Sequence, residues 1–168
     1  MAFSAAAVAN RFLRLAWNDG KEITPLKMQK LVYFAHGWHL ALVDRPLLSE
    51  TIQAWQFGPV ISSLYQAFKH FGAKPIQAEA MVVTQYGYLP AELEREAQSA
   101  EEAEVAGAVI GRVWDQYGKL TASQLTTMTH SQDSPWSQVP RKEVPERPIP
   151  DPLIAEYFKA QAGEQAAA

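Results

Sequence analysis

The sequence predicts a mainly α, α+β domain of about five to six helices with one small β-strand or hairpin element. Three observations carry this. Apolar residues recur every three or four positions over most of the chain, as on the buried face of a helix. Capping residues precede these stretches at Thr24-Pro25, Ser99 to Glu102 and Thr121 to Gln124. Strand character is confined to two short runs, at 51–57 and 81–84. A chain of 168 residues makes one domain, with its core over about 5–160 and a flexible tail at 163–168.

Val8, Phe12, Leu15 and Ala16 mark a first helix from Ala5 to Asn18, stopped by Gly20. Thr24 caps a second, with Pro25 at its first position, that runs to about Leu42 before Asp44-Arg45-Pro46 breaks it. Thr51 to Phe57 reads as a short strand with an unpaired edge. Gly58-Pro59 ends it and feeds a helix from Pro59 to Phe71, closed by Gly72. Met81 to Thr84, punctuated by Gly87 and Pro90, is a hairpin or extended loop. A helix from Ser99 to Tyr117 buries Val105, Val109, Val113 and Tyr117. A short one follows from Thr121 to His130, then a proline-rich stretch from Pro135 to Pro152. Asp151-Pro152 opens the last helix.

Net charge is −3, and the few cations are scattered: Lys27 and Lys30 stand alone, and Arg141-Lys142 meets Glu143 at once. That balance gives no general attraction to nucleic acid or anionic lipid. No apolar run approaches the length that crosses a bilayer. The absence of cysteine removes disulfides and thiolate chemistry and fits a cytoplasmic protein.

The segment KLVYFAHGWHLAL, Lys30 to Leu42, holds two histidines three residues apart. On a helix His36 and His39 could reach one ion, with His130 as a third ligand. Against this, apolar residues wrap nearly the whole helix, as in one buried on most sides, where histidines serve as hydrogen-bonded core residues. We therefore expect no metal and no cofactor. Gly37, costly inside a helix, implies close approach of another backbone. Catalytic signatures such as a nucleophile elbow or a phosphate loop are missing. The six glutamates between Glu92 and Glu104 read as a solvated face, since nothing apolar surrounds them to raise a carboxylate pKa. The sequence points to no enzyme.

Three motifs in order are more specific. They are ITPLKMQKLVYFAHGWHLAL (23–42), RPLLSETIQAWQFGPVISSLYQAFKHFG (45–72) and LTTMTHSQDSPW (125–136). Together they resemble the SocA-like Panacea antitoxin domain, a family of phage-associated-like proteins. The resemblance runs from about residue 8 to 158 and is weakest over 74–99. It implies a protein that neutralises a toxin encoded beside it by direct contact. In some members this goes with presentation of the toxin to an ATP-dependent protease. Two alternatives are a phage or mobile-element protein without a toxin partner, and a metal-dependent hydrolase using His36, His39 and His130.

The family motif falls on Lys30, Tyr33, Trp38, Trp55, Gly58, Pro59, Tyr65, His130, Pro135 and Trp136. Lys30, Tyr33, Trp38, His130 and Pro135 are expected to be structural. Trp55, Phe57, Gly58, Pro59, Tyr65 and Trp136 are expected to form the partner-binding region, because aromatics beside a turn are common anchors.

Overall fold

The computed structural model describes residues 2–140 and 147–167. Arg141, Lys142, Glu143 and the middle of the proline-rich stretch lie outside them. Eight α-helices and five short strands are present among the described residues.

Helix α1 (Ala5–Asn18) is capped by Ser4, whose side chain accepts from the Ala7 N–H. Helix α2 (Pro25–Val43) is capped by Thr24 and ends at Asp44, which takes a left-handed conformation with φ 62°. Every residue of α2 from Met28 to Leu40 is buried. This central rod packs against α1, α5 (Ala100–Tyr117), α6 (Ala122–Thr129) and α8 (Asp151–Ala167). Such all-round burial explains why α2 lacks a polar face.

Thr121 and Gln124 form the reciprocal capping box at α6. At α5 only one arm closes as expected. Ser99 accepts from the Glu102 N–H, but the Glu102 carboxylate accepts from Gln98 N–H rather than from Ser99. Along α5 the buried stripe is Ala103, Ala106, Val109, Ile110, Val113, Trp114 and Tyr117, with Val105 half-buried beside it. Helix α8 continues through Gly163 to Ala167.

Three expectations are corrected. The predicted strand is shorter, β1 (Ile52–Trp55), and the predicted helix from Pro59 begins with strand β2 (Gly58–Val60). Gln56-Phe57 is the turn between them, and α3 (Ser62–Phe68) starts only afterwards, running into a 3₁₀ turn at Lys69–Phe71. Gly58 thus opens a strand instead of ending one. Second, β1 has no unpaired edge. It is central in an antiparallel sheet of order β2-β1-β5, where β5 (Arg147–Ile149) pairs Ile52 with Ile149 and Gln53 with Pro148. Third, Gly37 makes room for a side chain, not a backbone: a Cβ there would collide with the Phe158 ring of α8.

A separate two-stranded hairpin, β3 (Met81–Thr84) and β4 (Gly87–Pro90), precedes a one-turn helix, α4 (Leu93–Glu96). The glutamates that follow are more than a solvated face. Glu92 pairs with Arg14 at 2.8 Å and with Arg95 at 2.9 Å, Glu94 pairs with Arg11, and Glu96 accepts from Ser4. They fasten this segment to α1. The bond from Arg14 holds the Glu92 carboxyl below the usual carboxylate range, the reverse of what a general acid requires.

Candidate functional site

The three motif segments, up to a hundred residues apart in sequence, converge beneath one surface. At the centre is Lys30, wholly buried on α2, with its Nζ donating to the Pro59 carbonyl at 3.1 Å. Next to it the Gln29 amide grips the exit of β2. Gln29 Nε2 donates to Ile61 O at 3.0 Å, and Ile61 N–H donates back to Gln29 Oε1 at 2.8 Å. These two polar residues interrupt the apolar run of α2 because β2 ends over them. Its backbone groups need partners that an aliphatic side chain could not give.

Gly58 sits directly above. Its φ of 112° suits glycine, and a Cβ there would lie 2.9 Å from both Lys30 Nζ and Thr129 Oγ1 and 3.4 Å from His130 Nε2. The end of α6 supplies Thr129 and His130, and the His130 ring stacks on Trp136 with centroids 3.9 Å apart. Trp136 belongs to α7 (Pro135–Gln138), a single turn capped by Ser134 with proline at its first position. Its indole N–H donates to the Trp55 carbonyl at 2.6 Å, so the third motif is bonded to the second.

What this knot presents outward is aromatic. Phe57, at the hairpin tip, is 63% exposed and Tyr65 45%. The half-buried Trp55 ring meets Tyr65 edge-on at 5.2 Å and donates to Gln53 Oε1 at 2.9 Å. Of the six residues expected at a partner surface, Trp55, Phe57 and Tyr65 reach solvent, whereas Gly58, Pro59 and Trp136 are buried and shape the surface from below. Tyr33 and Trp38 lie in the core. Gln29 and Thr129 were missed by sequence reasoning. For Gln29 the signal was available, as an uncharged polar residue within a buried helix.

The histidine pair divides between two structural bonds. His36 Nδ1 accepts from the Leu48 N–H at 3.2 Å, which leaves Nε2 as the protonated nitrogen that donates to Asp151 Oδ1 at 2.8 Å. It ties α2 to the start of α8. His39 Nδ1 lies 2.6 Å from the Arg45 carbonyl and so acts as donor. Among the described residues no three His, Asp or Glu side chains gather as a metal site. A cleft of about 130 Å³ beside α2 and α8 is lined by aromatics, glutamines, Met128, Thr129 and Ser134, with no histidine, carboxylate, lysine or arginine among them.

Residues 28–137 match the family described as antitoxin SocA-like, Panacea domain. The chain belongs to this family. The match spans α2 to α7 and therefore every residue of the Lys30 knot. A curated relative, "Antitoxin SocA" of Caulobacter vibrioides (strain NA1000 / CB15N), is 34% identical over 137 residues, covering 80% of this chain and 69% of the relative. No solved structure matches significantly. Among the described residues of this Panacea domain, no helix is long and apolar enough to cross a membrane.

Burial in this Panacea domain pushes the Lys30 amine down to about 7 from 10.5. Between those values the unfolded chain holds a proton that the folded chain has released, so stability rises with pH across that window. The thermal midpoint of the wild type should climb from about pH 7 towards pH 10, and this climb should be largely lost in Lys30→Met. Equal slopes in the two proteins would show that Lys30 is not held in a dry site.

Proposed function

We propose that this protein is an antitoxin that silences a cognate toxin by direct contact through the Trp55, Phe57 and Tyr65 surface. The observation that carries this is the placement of three exposed or half-exposed aromatics on a hairpin and helix fixed from beneath by Lys30, Gly58, His130 and Trp136. Rigid aromatic anchors lose little conformational freedom on binding, the property that concentrates affinity in a few residues. Membership of the antitoxin family and the name of the Caulobacter relative support a toxin as the partner.

Because β1 is paired on both edges, no partner strand can add to it, and recognition in this reading runs through the aromatic side chains. The protein is not an enzyme and needs no metal or cofactor in this reading. It acts in the cytoplasm, and presentation of the captured toxin to an ATP-dependent protease extends the same contact. Its net charge of −3 supports a protein partner over nucleic acid.

Co-expression is the test. The product of the adjacent open reading frame should arrest growth when expressed alone, and this chain should restore growth when supplied with it. An adjacent product that is harmless, or whose toxicity is unaffected by the chain, would overturn the proposal.

A further inference from the structure

We propose that the β3–β4 hairpin is a self-association surface, on which two copies of this chain stack face to face about a two-fold axis. The hairpin forms its own two-stranded sheet, joined to no third strand among the described residues. Its base is fixed rigidly. Asn10 of α1, itself buried, accepts from the Ala80 N–H at 2.7 Å and donates to the carbonyls of Ala80 and Ala91 at 2.9 and 3.0 Å. One side chain thus clamps both ends of the ribbon to the body.

The register sets the two faces. Val83 lies opposite Tyr88 and Met81 opposite Pro90, so these share a face, while Val82 lies opposite Leu89 on the other. Val82 packs against the core. In a hairpin covered on one side, the outward positions are normally polar. Here they are apolar: Val83 and Tyr88 are each 73% exposed, Tyr86 at the turn 81%, and Met81 about half. Residues 81–90, MVVTQYGYLP, include no charge at all.

A second copy fits this patch for two reasons. An isologous contact sets the patch against itself, and an uncharged face incurs no like-charge repulsion when it does so. The area is also sufficient. The four side chains leave roughly 600 Å² accessible, at the upper limit of what monomers expose. Complete mutual burial would remove about 1,200 Å², the lower bound of a stable specific interface. An interface at this bound belongs to the weak, transient class, so association is sought at micromolar concentrations and above.

Sedimentation velocity on the intact chain, from about 1 μM to about 1 mM, spans that range. The wild type should pass from the mass of one 18.7 kDa chain to twice that mass. Val83→Lys with Tyr88→Lys should stay at one chain throughout, with an unchanged thermal midpoint. Since the chain has no cysteine, Val83→Cys gives an independent reading. It should oxidise to a covalent dimer many-fold faster than Lys74→Cys, an exposed control outside the hairpin. A wild type that is monomeric at every concentration, a dimer indifferent to the lysines, or equal cross-linking at 83 and 74 would overturn the proposal. So would a monomeric wild type whose lysine variant loses only toxin binding, since the face would then serve the toxin.

Discussion

Phe158→Ala is expected to lower the unfolding free energy by about 3–5 kcal/mol, a large share of what a domain this size possesses. The ring is 1% exposed and lies edge-on to four others: Tyr157 at 5.2 Å, Trp38 at 5.3 Å, Tyr33 at 5.7 Å and Phe34 at 6.0 Å. It also occupies the space that Gly37 leaves open on α2. Truncation therefore removes the ring's transfer energy and opens a cavity against a helix that is held on every side and cannot collapse into it. The same geometry makes Gly37→Ala destabilising by overpacking, about 1–3 kcal/mol. Because the two sites share one contact, Gly37→Ala in the Phe158→Ala background should cost much less. Urea unfolding of the three variants checks this. A loss below about 1 kcal/mol for Phe158→Ala would mean that α8 is not integral to the core.

The second large effect is functional. Phe57→Asp combined with Tyr65→Ser should abolish protection from the toxin while shifting the thermal midpoint by only a few degrees. Both side chains are substantially exposed, so their loss removes little folding energy. At an interface each would be a desolvated anchor, and truncating a central aromatic commonly costs 2 kcal/mol or more, about thirtyfold in affinity. Trp55→Ala is the less clean variant, because its ring also braces Tyr65. A double variant that is folded and fully protective would move the contact elsewhere on the molecule.

The helices were legible in the sequence because their signals are local. Thr24-Pro25 and the Thr121 box each specify a start, and Asp44 and Gly72 each mark a stop with positive φ. The sheet was not legible, because its signals are distant. Nothing in Arg147-Pro148-Ile149 announces a strand, and a proline there argues against one, yet it completes the edge of β1. Gly58-Pro59 was read as a terminator because glycine and proline usually are. The φ of 112° that Gly58 adopts is set by packing over Lys30 and Thr129, which no local rule contains. The site shows the same division. The exposed aromatics could be named from their place beside a turn, and Lys30, His130 and Trp136 from their motifs, whereas Gln29, Thr129 and the way these groups join could not. Lys30, Gln29, Thr129 and Trp136 meet only once α2, α6, α7 and β2 are assembled.

Neutralisation by direct contact through this one face can be measured by calorimetric titration with the purified product of the adjacent reading frame. Saturable binding is expected for the wild type, and at least about thirtyfold weaker binding for the folded Phe57→Asp, Tyr65→Ser protein, whose thermal midpoint lies within a few degrees of the wild-type value. Equal affinity for both proteins, or no binding by a wild type that still protects cells, would contradict neutralisation through this face.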